Sequence, residues 1–230
     1  MTIGNLADVR KRYKNAYKNY MSVMWNKWRG KIKIKVILQN GDSIYVSNDL
    51  FNDLIPVYSR LVANKNEHIY DLHLYGNGIK FIYKGKSITL EDGTGDIPGV
   101  FGSEEYGSLE VENEIVIDIG ANIGDSTIYF ALNNAKKVIA LEPYPYPYNI
   151  ALKNIKINNL EDRIILLNAG CGQDGTIKVN PELGNTLGSD LKSFNDGIDI
   201  KIMSLKTLLN DYNIDKAILK MDCEGCGIIY

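Results

Sequence analysis

Cysteine, histidine and proline are scarce in this 230-residue chain, at three, two and six residues. Cys171, Cys223 and Cys226 cannot close into a full set of disulfides, which excludes a disulfide scaffold and agrees with a reducing compartment. The only histidines, His68 and His73, fall in a strand-like stretch far from Cys223-Glu224-Gly225-Cys226, so a zinc site would lack two ligands and no metal is expected. No apolar run approaches the roughly 18 residues of a membrane-spanning helix, and Met1 to Leu6 lack the basic-then-apolar order of a secretory signal. The expectation is a cytoplasmic protein. A hydrophobic content of 45% and a net charge of -2 predict a packed core rather than a disordered polymer.

Acidic residues are missing from the start of the chain. Up to residue 35 there are ten basic side chains and one acid, Asp8, whereas the remainder carries 16 basic against 27 acidic residues. Such asymmetry fits an arm for nucleic acid or an anionic membrane, or a basic helix docked on an acidic body; the docked helix is the reading preferred here. Leu6, Val9, Tyr13, Ala16, Tyr20 and Val23 recur at steps of three and four and predict one amphipathic helix over 6–28, with Tyr13, Tyr20 and Trp28 packed as core. Lys31 to Leu38 and Ser43 to Val46, joined by Asn40-Gly41, predict a hairpin. His68 to Tyr75, Ile79 to Tyr83 and Ser87 to Leu90 predict a second antiparallel set, and 49–63 reads as a helix disturbed by Pro56. Residues 1–96 are thus expected to form an N-terminal helix with a small antiparallel α+β unit.

From Glu114 short apolar runs alternate with helical stretches. Strands are expected at 115–119, 138–141, 164–167 and 217–221, with helices at 125–132, 147–158 and 204–212 and two further strands at 176–179 and 198–203. This pattern predicts a doubly wound α/β domain with a parallel, Rossmann-like sheet over 97–230.

Chemistry concentrates at Val116-Ile117-Asp118-Ile119-Gly120-Ala121-Asn122-Ile123-Gly124. A buried strand delivers Asp118 to its carboxyl end, Gly120 permits the turn, and Gly124 permits close approach before the next helix. A nicotinamide dehydrogenase would more often show G-x-G-x-x-G around a pyrophosphate. An acid followed by a compact turn, with Asn122 at the middle glycine position, suits a phosphate-free nucleoside with a positive amino-acid tail, and S-adenosylmethionine has those properties. Glu142, at the end of the next strand, can accept hydrogen bonds from both ribose hydroxyls. Pro143 stiffens the following turn, and Tyr144, Tyr146 or Tyr148 can wall the adenine; the sequence does not choose among them. Asp222 and Glu224, two apart beyond the fourth strand, can share a side and accept a hydroxyl proton or orient an acceptor, or simply cap the turn at Gly225.

These residues resemble the FkbM family of S-adenosylmethionine-dependent methyltransferases. The likeness rests on VIDIGANIG (116–124), Glu142-Pro143 with Asn154 and Asn158, Asn168-Ala169, and LKMDCEG (219–225), with VFGSEEY (100–106) and 204–209 as weaker matches, and covers roughly 97–226. It implies a class I methyltransferase fold. It also implies Asp118, Gly120, Asn122 and Gly124 around the methionine part, Glu142 on ribose, and Asn168 or Ala169 near adenine. The class of acceptor it implies is a small molecule or glycan, through O-methylation of a sugar or natural-product hydroxyl, with no nucleic acid expected. The pattern departs in two places. Gly227 stands where the family tends to have an acid, and the chain stops at Tyr230, where class I domains continue with three more strands. The sheet is therefore expected to lack its last strands and to self-associate through the exposed fourth one. The rival readings are a dehydrogenase and a cofactor-binding module without turnover.

Overall fold

The computed structural model describes residues 3–64, 66–75, 78–92, 95–180 and 197–222. The chain divides into two compact units, Met1–Glu105 and Tyr106–Tyr230.

The first unit begins with helices α1 (Ile3–Ala16) and α2 (Tyr20–Trp28). They lead into an antiparallel hairpin of β1 (Lys33–Ile37) and β2 (Ser43–Ser47), then α3 (Asn48–Asn64). An antiparallel meander follows, of β3 (Ile69–Tyr75), β4 (Gly78–Tyr83) and β5 (Lys86–Glu91), and a π turn at Pro98–Gly102. The single helix expected over 6–28 is therefore corrected to two. The break falls at Tyr17 to Asn19, where the chain also binds the hairpin. Tyr17 bridges Leu38, the Lys18 N–H donates to the Ile37 carbonyl at 2.8 Å, and the Asn19 carboxamide both donates to the Lys35 carbonyl (3.0 Å) and accepts from the Ile37 N–H (2.9 Å). Ala16, Tyr17 and Val23 are buried, as are Ile34, Val36, Leu38 and Val46 of the hairpin, whereas Val9, Tyr13 and Tyr20 of the expected stripe are only half-buried. Trp28 is 77% exposed, which corrects the expectation that it packs. His73 lies in β3 and pairs with Asp42 of the hairpin turn and with Asp71 (2.7 Å), and the hydrogen bonds to these two carboxylates raise its pKa.

The second unit holds a parallel sheet in the order β12-β6-β7-β8, where β6 is Ile115–Ile119, β7 Lys137–Leu141, β8 Ile164–Leu167 and β12 Ile218–Met221. Helices α4 (Asp125–Leu132) and α5 (Pro145–Ile157) connect its strands, and α6 (Leu205–Asp211) precedes β12. Alternation along the strands sends Ile117, Ile119, Ile139 and Leu141 into a cluster with Leu208 of α6, Met203 and Ile214. The opposite face carries Asp118 toward Ser126 and Thr127 of α4. With helices on both faces, this is a doubly wound, Rossmann-like parallel sheet. A second sheet, in the order β10-β11-β9, joins β9 (Ala169–Cys171), β10 (Gly175–Val179) and β11 (Ile198–Met203). The pattern reading had no strand at β9, whose three residues are too few to alternate.

Among the described residues β12 is an outer strand, and Leu219 and Met221 are exposed on it. A groove of about 340 Å³ lined by Ile117, Leu205, Leu209, Ala217 and Leu219 lies near the amino end of β12, away from the carboxyl-end turns described next.

Candidate active site

At the carboxyl end of β6 the chain makes a tight turn that few residues tolerate. Gly120 and Gly124 hold φ of +82° and +85°, and Asn122 holds +46°. At Gly124 a β-carbon would also come within 3.2–3.3 Å of Ala151 on α5, a tight contact added to the left-handed φ that favours glycine there. The turn is fastened to β7 by Gly120 and Ala121 N–H groups, which both donate to the Leu141 carbonyl at 3.0 Å. Asn154, fully buried on α5, donates to the Ile123 carbonyl at 2.9 Å.

Asp118 lies beneath this turn with no exposed surface. Its Oδ2 accepts from Ser126 Oγ (2.7 Å) and Thr127 Oγ1 (2.6 Å), and its Oδ1 is 2.9 Å from Lys220 Nζ. Strand register explains the ion pair, since Lys220 of β12 is the direct partner of Asp118 on β6. The Lys220 ammonium, itself 6% exposed, also donates to the Gly120 carbonyl at 3.0 Å and lies 5.8 Å from the Tyr106 ring centroid. Burial alone would lower the lysine's pKa. The charge and hydrogen bond of Asp118, with Asp222 and Asp125 nearby, outweigh burial and raise it, so the lysine stays charged.

Glu142 ends β7 and reaches back to the same turn. Its Oε2 accepts from the Asn122 N–H (2.8 Å) and its Oε1 from the Tyr144 N–H (2.9 Å). Burial pushes its pKa up to about 7, against the lowering effect of those two N–H groups and of Lys220. A carboxylate has about four lone-pair sites, so two remain for a diol such as the ribose of a nucleoside. Asn168, just past β8, donates to the carbonyls of Glu142 (2.8 Å) and Pro143 (3.0 Å) and so fixes the Glu142-Pro143 turn; Ala169 beside it is buried. Tyr144 is buried against Val179 and Ile200, whereas Tyr146 is exposed and Tyr148 half-buried.

Asp222 follows β12, its N–H bonded to the Ile119 carbonyl (3.1 Å), and its exposed carboxylate accepts from the Tyr106 hydroxyl at 3.2 Å. Glu224 falls outside the described residues. The structure thus gathers Asp118, Gly120, Asn122, Gly124, Glu142, Pro143 and Asn168 around two adjoining strand ends, with Asp222 at a third. Sequence reasoning gave no role to Lys220, Ser126, Thr127 or Tyr106. For Lys220 a signal existed: a lysine inside the apolar run Ile218 to Met221 demands a buried partner. Among the described residues no group of three or more His, Cys, Asp or Glu side chains is placed to hold a metal ion.

The donor set fits S-adenosylmethionine: a turn with no β-carbon at Gly120 or Gly124, and a carboxylate at the end of β7 with acceptor capacity left for a ribose diol. Residues 118–228 match the family described as the methyltransferase FkbM domain. A tRNA (guanine(37)-N(1))-methyltransferase, Trm5b, of Methanocaldococcus jannaschii is 32% identical over 120 residues, covering 49% of this chain and 34% of that protein. A tRNA(Phe) (4-demethylwyosine(37)-C(7)) aminocarboxypropyltransferase of Pyrococcus horikoshii is 38% identical over 56 residues, 24% of this chain and 20% of that protein. The chain therefore spans about a third or less of these relatives' length. Among solved structures, P. horikoshii TYW2 in complex with MeSAdo aligns with a TM-score of 0.35 at 19% identity, over 67% of this chain and 48% of that one. The segment 118–228, just under half of the chain, is thus similar to the FkbM methyltransferase domain.

Proposed function

We propose that the chain is an S-adenosylmethionine-dependent methyltransferase acting on a hydroxyl of a sugar or natural product, with Asp222 facing the acceptor. The observation that carries this reading is the exposed Asp222 carboxylate, held by Tyr106 one strand away from the glycine turn. When bound, the cofactor supplies an electrophilic methyl group on a sulfonium. The protein's own part is to position and to accept a proton. Glu142 holds the ribose diol, and Gly120, Asn122 and Gly124 shape the turn around the methionine part. Pro143, Asn168 and Ala169 set the wall toward adenine. Asp118 acts as a positioning residue, because its oxygens are committed to Lys220, Ser126 and Thr127. Asp222, and Glu224 after it, accept the hydroxyl proton or orient the acceptor.

A second reading, RNA as acceptor, has specific support: both curated relatives are named for tRNA, and the first 35 residues carry ten bases against one acid. The expectation of no nucleic acid finds no support in those relatives.

Calorimetry with S-adenosylhomocysteine, then transfer of a labelled methyl group to hydroxyl acceptors and to total RNA, tests both readings. Asp222→Asn is expected to lower turnover by about 100- to 10,000-fold while leaving cofactor affinity nearly intact. Equal losses in turnover and affinity would move Asp222 to cofactor positioning. Label that becomes ribonuclease-sensitive would select the RNA reading, and no binding of S-adenosylhomocysteine would sink both.

A further inference from the structure

Helix α2 has two apolar sides, and only one of them is covered. Val23 is fully buried beneath it. Met21, Trp25 and Trp28, spaced by four and then three residues, form a stripe on the other side and are 61%, 56% and 77% exposed. Ile32, two residues past the Gly30 turn, is 80% exposed. The two indoles rest on each other, centroids 5.1 Å apart and planes inclined by 34°. They are the only tryptophans in the chain.

The charge around this stripe has one sign. From Val9 to Gly41 there are ten basic residues and no acid. Arg29 and Lys31 stand exposed between Trp28 and Ile32, Lys18 stands exposed just before α2, and Lys27 is half-buried within it. An exposed apolar face costs free energy in water, and surrounding cations keep it from pairing with a copy of itself. Both features are satisfied together by one kind of surface, whose headgroups are anionic and whose interior takes indole and aliphatic groups.

We infer that the α2 stripe, Met21, Trp25, Trp28 and Ile32 with Arg29 and Lys31, is a docking surface for an anionic lipid bilayer. Single-stranded RNA is the rival for a basic, aromatic patch, since bases stack on open rings. Two observations favour the bilayer. Each indole has one face already turned to the other, and Met21 and Ile32 offer RNA neither a ring nor a hydrogen-bonding group. The helix is nine residues long and lies on the unit's surface, so it rests in the headgroup region and does not cross the membrane. This inference does not depend on which acceptor the second unit methylates.

The test uses the full chain, whose tryptophan emission reports on the stripe alone. Vesicles of phosphatidylcholine with about 30% phosphatidylserine are expected to shift that emission to the blue, and brominated acyl chains to quench it. Binding to pure phosphatidylcholine is expected to be at least about tenfold weaker, as is binding to anionic vesicles in high salt. Cosedimentation of Trp25→Ala/Trp28→Ala with anionic vesicles is expected to fall by at least about tenfold with an unchanged far-ultraviolet spectrum, and Arg29→Glu/Lys31→Glu to do the same. Cosedimentation that survives both double substitutions would overturn the inference. So would emission that responds to oligouridylate and not to vesicles, or blue-shifted emission without lipid in a chain that sediments as a dimer.

Discussion

The two units treat charge in opposite ways. Among the described residues every buried charged side chain, Asp118, Asp125, Glu142 and Lys220, belongs to the second unit, while the first buries only Ser59 and Thr89 of its polar residues. In the second unit, desolvated charges are fixed by short hydrogen bonds around one turn, so position is defined to within a fraction of an ångström. In the first, charges stand in water beside exposed tryptophans, where they present a surface and fix little. Burial of charge marks the site where geometry must not vary, and exposure marks the one where contact must remain open.

The strongest way to break the contrast is to leave Asp118 without its counter-charge. Lys220→Met is expected to cost about 3–5 kcal/mol of stability in denaturant unfolding, because a fully buried carboxylate then lacks its ammonium. Asp118→Asn combined with Lys220→Met should recover a large part of that loss. Strictly additive losses would mean that the pair does not act as a unit.

A second test uses pH. Glu142 has its folded-state pKa raised from 4.5 to about 7, so the fold favours its protonated form. Its contribution is fully present below about pH 4.5 and is lost as pH rises through about 7. The cofactor-free protein is expected to lose on the order of 3 kcal/mol across that window through this group, and Glu142→Gln to remove the decline. Stability curves of the two proteins that run parallel from pH 4.5 to 8 would contradict the shift.

The smallest effect belongs to the first unit, where no charge is at stake. Asn19→Ala removes two hydrogen bonds between the helix break and β1 and is expected to cost about 1–3 kcal/mol in thermal or denaturant unfolding. An unchanged midpoint would show that Tyr17 and Lys18 hold the break without it.

Much of the second unit was legible in sequence because its strands are short apolar runs with a glycine turn between β6 and α4, and burial on both faces leaves little choice of structure. Asp118, Gly120, Gly124 and Glu142 could be placed at strand ends for the same reason. Lys220 was passed over because a lysine in a strand acquires meaning only when register sets it opposite Asp118, and register with a strand a hundred residues away is not written locally. The break at Tyr17 to Asn19 was hidden by a periodicity that runs on through it. Helical spacing says which residues face the core, but here β1 offers the backbone better partners than the next helical turn does. The exposure of Trp28 follows from that break, since α2 is free to turn a second apolar side outward.

Lys220 and Gly120, joined by one hydrogen bond, are 100 positions apart in the chain. During synthesis the glycine turn at the end of β6 is therefore made long before the side chain that neutralises the acid beneath it. Until β12 docks, Asp118 lacks its ammonium partner. Folding of this sheet is therefore expected to wait on its last contact, since closing so long a loop carries an entropic cost. Protection of the Ile115 to Leu141 amides in pulse-labelled refolding is expected to appear together with that of Ile218 to Met221. Earlier protection of the former alone would show that the sheet closes without its lysine.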